Sequence, residues 1–236
     1  GIQWSHQCGK STEFTVHGAK SEAFQKQNCR GTIGLSSKIM DQRGITMAFA
    51  LKKATLSPEN YLAAEAESQV KHEYVDGQVF VMAGASERHK RIAMNIAFHL
   101  RAASRGTPCG AFMSNMKLRI AAVNTFYYPD VMLNCDEADK HPIQKTAPCI
   151  VAEVLSPSTA TTDRREKALA YRQIPSLKTY ILAGPDRRAV DYFIRDESGE
   201  WQQGTLGEMD ILGVDCGKIK VGLALDDIYE DVDFHN

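Results

Sequence analysis

The chain has 236 residues, of which 43% are hydrophobic and 24% are charged, both ordinary values for a globular protein. Its formal net charge of −1 argues against non-specific nucleic-acid binding through a whole-protein field, although it does not exclude a local basic groove. No apolar run approaches the ~20 residues of a membrane-spanning helix, and the first residues lack the order of a secretory signal. We therefore expect a cytoplasmic protein with no membrane association.

The six cysteines show neither a Cys-x-x-Cys pair nor a companion His pair at zinc spacing. We therefore expect free thiols in a reducing compartment rather than a structural zinc site.

Residues 1–46 scatter Gly, Ser, Gln and Lys among isolated apolar residues, and neither a helical nor a strand period persists there. Regular patterning begins at Met47. We interpret 1–46 as a non-native or disordered N-terminal extension and 47–236 as a single domain. A genuine disordered arm is the alternative interpretation of the first segment.

After Met47, Ser57 as N-cap and Pro58 at the first helical position predict a helix that continues to about residue 67. Asp76-Gly77 lies between two short extended runs over 71–82 and predicts a β-hairpin. Apolar residues at helical spacing predict a second helix from Ser86 to about residue 106. The later expected elements are strands over 109–120, 126–133 and 149–155, a helix over 158–174, strands near 179–182, 190–194 and 201–206, and a final strand and short helix up to about 229. This order predicts an α/β fold with a mixed sheet flanked by helices.

Asp130 and Glu153 are lone acids that interrupt the apolar stretches 126–133 and 149–155. An unpaired carboxylate in a buried strand costs several kcal/mol unless something compensates its charge. Two such acids on neighbouring strands would hold a hard cation such as Mg²⁺, which binds through one or two protein carboxylates. The alternative is that each acid lies at a strand end, solvated or paired with an Arg.

Three further side chains are candidates for the same site. Lys167 follows the Glu153 strand, where an ammonium near a metal-bound phosphate would neutralise developing charge; the alternative is a solvated helix face with Asp163. Glu73 would supply a third metal ligand, or is a surface strand acid. Because histidine is a common general base, His89 would act as one here, or it packs or bonds to Glu73.

Pro129-Asp130 followed by Glu153-Val154-Leu155 resembles the PD-(D/E)XK nuclease superfamily, and a wider string resembles its Uma-two family of restriction endonucleases. The matching pieces are His72-Glu73-Tyr74-Val75-Asp76-Gly77, Ala83-Gly84-Ala85-Ser86 with His89, Tyr128-Pro129-Asp130-Val131, Glu153-Val154-Leu155-Ser156-Pro157-Ser158-Thr159, Asp163-Arg164, Lys167, Tyr171 and Ile228-Tyr229. The resemblance implies a restriction-endonuclease-like core, in which a central four-stranded mixed sheet has helices on both sides. It also implies a metal-dependent phosphodiester site using Mg²⁺ or Mn²⁺, DNA as the substrate, and a homodimer.

This sequence departs from the superfamily pattern at one position. The superfamily carries a lysine two residues after the second acid, and Leu155 stands there in this chain. Lys167 is the candidate replacement and Lys117 the runner-up. The leading hypothesis is a metal-dependent endonuclease with Asp130, Glu153 and Glu73 as ligands. The alternatives are a non-catalytic nucleic-acid-binding or assembly module that retains the nuclease fold, and a hydrolase of another phosphodiester.

Overall fold

The computed structural model describes residues 55–82 and 84–234, together with the backbone of four strands nearer the N-terminus. The chain divides into two compact units, Gly1–Ser57 and Pro58–Asn236. In the first unit, β1 (Glu13–Val16), β2 (Ala19–Asn28), β3 (Thr32–Met40) and β4 (Thr46–Ala50) form an antiparallel sheet in that order. Within 1–46 the structure describes only the backbone of these strands, and the interpretation of this segment as an extension stays a prediction.

The second unit carries the remaining elements. Its strands are β5 (His72–Val75), β6 (Gln78–Val81), β7 (Gly110–Met113), β8 (Lys117–Ile120), β9 (Thr125–Tyr127), β10 (Val131–Asn134), β11 (Gln144–Lys145), β12 (Pro148–Val154), β13 (Thr179–Ala183), β14 (Val190–Arg195), β15 (Trp201–Thr205), β16 (Ile211–Asp215) and β17 (Lys220–Ala224). Its helices are α1 (Pro58–Glu67), α2 (Glu87–Ala103), α3 (Ala160–Thr162), α4 (Ala168–Tyr171) and α5 (Leu225–Ile228), with a short 3₁₀ turn at Ala121–Val123. A π-helical stretch, Asp163–Lys167, joins α3 to α4, and we call this continuous run helix 160–171.

The largest sheet has six strands in the order β15-β14-β13-β12-β10-β7. Strands β12 and β13 run parallel and the other neighbours run antiparallel. A second sheet has the order β11-β8-β9-β5-β6, and β16 pairs with β17 as a hairpin. Mixed sheets flanked by helices confirm the predicted α/β class, although the central sheet has six strands rather than four.

The six-stranded sheet has an apolar cluster on each face. One cluster contains Ala152 of β12 and the apolar face of α2. The other contains Val151 of β12 and Tyr171 of helix 160–171. Because successive strand side chains point to opposite faces, Glu153 shares the face of Val151 and is directed toward helix 160–171.

Local signals predicted the first elements correctly. Helix α1 begins at Pro58, as the N-cap and proline indicated, and it ends at the predicted residue. The hairpin turns at Asp76 and Gly77, which have φ angles of 44° and 87°, as a two-residue turn of positive φ requires. Ser86 caps α2 by accepting a hydrogen bond from the His89 backbone.

Two predicted long strands are wrong in the same way. The segment 109–120 is two strands, β7 and β8, which belong to different sheets. The segment 126–133 is also divided, because Tyr128, Pro129 and Asp130 lie outside the ladders between β9 and β10. Pro129 has no backbone N–H to donate, so a ladder is readily interrupted there. The chain therefore passes from one sheet to the other directly before Asp130.

The expectation of free thiols is wrong for the four cysteines in the described part of the chain. Disulfides join Cys109 to Cys135 and Cys149 to Cys216. Gly110 pairs with Asn134, the last residue of β10, in an antiparallel ladder. Cys109 and Cys135 are the next residues beyond the ends of the two strands, so they lie opposite each other. The second pair, 67 residues apart, ties the β16–β17 hairpin to β12. Spacing in the sequence does not reveal either pairing.

No helix in the described ranges is both long and apolar enough to cross a membrane.

Candidate active site

Asp130 and Glu153 are held together by reciprocal hydrogen bonds between neighbouring strands. Asp130 directly precedes β10, in which Val131 pairs with Ala152 of β12. The Asp130 backbone N–H donates to Glu153 Oε2 over 3.2 Å, and the Val154 backbone N–H donates to Asp130 Oδ2 over 2.8 Å. Each carboxylate is therefore positioned by the backbone of the strand that carries the other.

Glu153 lies at the bottom of the site and is only 3% exposed. Its Oε1 accepts hydrogen bonds from the Tyr171 hydroxyl over 2.7 Å and from Lys167 Nζ over 3.1 Å. Burial raises the pKa of Glu153 to about 8, since the nearby acids add to the effect of desolvation and Lys167 only partly opposes it. The alternative of a solvated or Arg-paired strand-end acid does not describe this residue.

Lys167 lies among three carboxylates and is 5% exposed. Its Nζ is 2.9 Å from Glu73 Oε1, 3.1 Å from Glu153 Oε1 and 3.3 Å from Asp163 Oδ1. Although burial lowers the pKa of Lys167, these acids raise it well above its usual range. Lys167 ends the π-helical stretch, a kind of distortion that is frequent at functional sites. A solvated helix face is therefore the wrong description of this side chain.

Glu73 and His89 approach the two acids through different partners. Glu73, on β5, contacts the Lys167 ammonium. His89, in the first turn of α2, places Nε2 2.9 Å from Asp130 Oδ1, so its partner is Asp130 rather than Glu73. The structure thus brings together all five residues that the sequence singled out, while their catalytic and metal-binding roles stay predictions.

The donor set fits a hard divalent cation. Four acids gather here around one lysine: Glu73, Glu153 and Asp163 contact the Lys167 ammonium, and Asp130 adjoins Glu153, so carboxylates outnumber ammonium groups. Glu73 Oε1 and Asp163 Oδ1 are buried without a hydrogen bond, although both lie near the ammonium. The described residues contain no ready cluster of three or more metal-ligating side chains. Two carboxylates completed by water and substrate oxygens suit Mg²⁺ or Mn²⁺ better than a metal that needs an all-protein cage.

These acids open into a groove of about 1430 Å³. Asp130, Glu153 and Lys167 line it, and so does a set of basic side chains. The basic residues are Lys71, Arg88, Lys90 and Arg91. Further acids, Glu87, Asp186, Asp231 and Asp233, line the groove as well, and Arg91 and Arg88 pair with the first two of them. Basic and acidic side chains are therefore mixed along the groove, and a phosphate group would be held by the basic ones.

Sequence reasoning missed Glu65, which connects the two segments that supply acids to the site. Its Oε1 accepts hydrogen bonds from the Tyr128 hydroxyl over 2.9 Å and the His72 backbone over 3.0 Å. Its Oε2 lies 3.0 Å from His72 Nδ1. Tyr128 is two residues before Asp130, and His72 directly precedes Glu73. Nothing in the sequence distinguishes Glu65 from the other acids of α1, because the burial of Glu65 depends on the tertiary structure.

Lys117, the runner-up lysine, lies at the Tyr128 ring and not at the acid pair. Its Nζ is 5.4 Å from the centre of the Tyr128 ring. Among the described residues, no salt bridge joins it to Asp130 or Glu153. Lys167 is therefore the lysine that accompanies the acid pair.

Comparisons with known proteins find a matching family model and similar relatives. A family model, Uma2, described as "Putative restriction endonuclease", matches residues 58–214. The uncharacterized protein slr1290 of Synechocystis sp. (strain ATCC 27184 / PCC 6803 / Kazusa) is 36% identical over 147 residues, which cover 62% of this chain and 77% of the relative. The uncharacterized protein sll1609 of the same strain is 32% identical over 149 residues, which cover 62% and 84%.

A solved structure shows the same fold. It is described as a putative nuclease belonging to DUF820 from Anabaena variabilis ATCC 29413, and it matches with a TM-score of 0.60 at 14% identity. The match covers 74% of this chain and 97% of that chain. Because the family model spans more than half of the sequence, the chain belongs to the Uma2 family of proteins described as putative restriction endonucleases.

Proposed function

We propose that this protein is a metal-dependent endonuclease that hydrolyses phosphodiester bonds in DNA. The observation that carries the proposal is the buried contact of Lys167 with Glu153, beside Asp130, in an open groove that also carries Lys71 and Lys90. Family membership and the shared fold support a nuclease. DNA as the substrate, Mg²⁺ or Mn²⁺ as the cofactor, the homodimer and the cytoplasmic location stay predictions.

Asp130 and Glu153 would hold the metal, which when bound lowers the pKa of a water and polarises the scissile phosphate. His89 and the Val154 backbone orient the Asp130 carboxylate. Tyr171 orients Glu153 by donating its hydroxyl hydrogen. Side chains that are fixed before the substrate arrives need no reorganisation during the reaction.

Lys167 would stabilise the negative charge that develops on the phosphate. It replaces the lysine expected at position 155, where Leu155 is instead buried in the apolar cluster beneath helix 160–171. Glu73 and Asp163 hold the ammonium beside Glu153. In this arrangement Glu73 acts chiefly by positioning Lys167.

A non-catalytic nucleic-acid-binding module is the second candidate. The observation that favours it is that three carboxylates already surround the Lys167 ammonium, which is 5% exposed. A lysine so enclosed serves stability even where it does not meet a substrate.

Nicking of supercoiled plasmid with Mg²⁺, Mn²⁺ or EDTA tests the proposal, together with calorimetric titration of each metal. The parent should bind metal and nick DNA, whereas Asp130→Asn should lose metal-dependent nicking. The matched control is Asp226→Asn, because Asp226 is exposed and outside the groove. Full activity in Asp130→Asn would refute the assignment. A parent that binds nucleic acid but never cuts it, with either metal, would support the second candidate.

A further inference from the structure

Two lysines meet at one tyrosine ring beside the candidate active site. The Nζ atoms of Lys71 and Lys117 lie 5.1 Å and 5.4 Å from the centre of the Tyr128 ring. Lys71 directly precedes β5, Lys117 begins β8, and Tyr128 lies in the break between β9 and β10. Three separate segments of chain therefore bring two ammonium groups to one tyrosine ring, two residues before Asp130 in the sequence.

The positive charge of this cluster is not balanced by its neighbours. Lys117 is only 8% exposed, and no hydrogen bond or salt bridge from its ammonium is found among the described residues. The Lys71 ammonium donates to the side-chain oxygen of Asn115, which is neutral. The one nearby acid, Glu65, is already bound by Tyr128 and by His72. Two cations thus share one occupied carboxylate.

Electrostatics agree with a crowded positive site. Burial lowers the pKa of Lys71, and repulsion from Lys117 lowers it further. Burial also lowers the pKa of Lys117. Glu65 opposes both effects without cancelling them. An anion bound between the two lysines would relieve their repulsion and restore the charge that burial disfavours.

Part of the cluster lies in the same groove as the acids, because Lys71, Asn115 and Tyr128 line it together with Asp130 and Glu153. Lys117 does not line the groove itself, and it adds its positive charge from beside the Tyr128 ring. We propose that Lys71 and Lys117, gathered at Tyr128, form a phosphate-binding subsite that takes a backbone phosphate of a polynucleotide lying in the groove. This phosphate is a different one from the phosphate at the carboxylates. The proposal rests on the proposed function for its substrate class, but it does not require that the protein cut.

Binding without cleavage tests the subsite. A fluorescein-labelled single-stranded oligodeoxynucleotide is titrated with full-length protein in EDTA at several salt concentrations. Lys71→Met and Lys117→Met should each weaken binding on the order of tenfold at low salt and reduce the salt slope by about 1. The matched control is Lys178→Met, because Lys178 is exposed and does not line the groove. It should bind like the parent.

Lys117→Arg keeps the charge at the buried position and should retain most of the affinity, whereas a loss as large as in Lys117→Met would overturn a charge-based role. Unfolding in urea checks that each variant is folded, and Lys71→Met carries the test if Lys117→Met does not fold. A parent that binds no oligonucleotide, or Lys71→Met binding at parent affinity, would overturn the proposal.

Inorganic phosphate distinguishes the source of the ligand. One contrary result is that the parent binds inorganic phosphate tightly while both Met variants lose that binding and keep the parent's oligonucleotide affinity. That result would overturn the polynucleotide assignment in favour of free phosphate. A parent that cuts no plasmid but shows the predicted binding losses would refute the proposed function and support the subsite.

Discussion

Replacing Lys167 with Met should destabilise the metal-free protein strongly at slightly alkaline pH. Among the described residues, the change removes the only ammonium that contacts Glu73, Glu153 and Asp163. Removing one partner of a buried ion pair costs about 3–5 kcal/mol, because the remaining charge stays desolvated and uncompensated. The folded-state pKa of Lys167 is raised, so its stabilisation is fully present below the ordinary lysine pKa and is lost only as pH rises through the higher folded value.

The size of the loss should depend on pH. Without the ammonium, the pKa of Glu153 rises further and its carboxyl takes up a proton, which relieves part of the cost. The destabilisation should therefore be larger at pH 8 than at pH 5, where the Glu153 carboxyl is already neutral. Turnover should fall by a factor on the order of 10²–10³ with metal binding retained, as when one preorganised charge-stabilising group is lost.

Urea unfolding at pH 5 and pH 8 measures the stability effect. Calorimetry measures metal binding, and plasmid nicking measures turnover. The matched control is Arg164→Met, since Arg164 pairs with Asp191 on the surface and its side chain is 44% exposed. That variant should lose no more than about 1 kcal/mol. If Lys167→Met unfolds like Arg164→Met at pH 8, the buried cluster does not have the energetic role derived for it.

Three other results are expected from urea unfolding. The folded-state pKa of Glu153 lies above the ordinary glutamate value of 4.5, so its contribution to stability should weaken as pH rises from about 5 to 8, and Glu153→Gln should flatten that dependence; an unchanged profile would contradict the raised pKa. Glu65→Ala should cost about 1–3 kcal/mol because it leaves the Tyr128 hydroxyl and the His72 backbone N–H without their acceptor, whereas exposed Glu67→Ala should cost little; equal effects would show that the Glu65 contacts are unimportant. Cys216→Ser, which breaks the disulfide to Cys149, should cost about 2–4 kcal/mol, and an unchanged unfolding midpoint would count against that bridge.

Several features of the fold and the site were predictable from local sequence. Ser57 and Pro58 determine where α1 begins, and Asp76-Gly77 determines the hairpin, because capping and turn preferences act over only a few residues. The acid pair was also recognisable, since an isolated carboxylate in an apolar strand needs a partner. The i, i+4 spacing of Asp163 and Lys167 correctly placed them on one helix face.

Other features depended on where distant segments meet. The interruption of the predicted strand at residues 128–130 depends on the tertiary structure, in which β9 and β10 belong to different sheets. Glu65 resembles any acid of an exposed helix until Tyr128 and His72 bury it, and the cysteine spacing does not show which thiols face each other. The sequence by itself determined the local elements and the chemistry of the acid pair, because those follow from short-range preferences and the cost of burying charge. The tertiary structure decided which lysine, which histidine and which further carboxylates join that pair, because those contacts depend on the path of the chain between sheets.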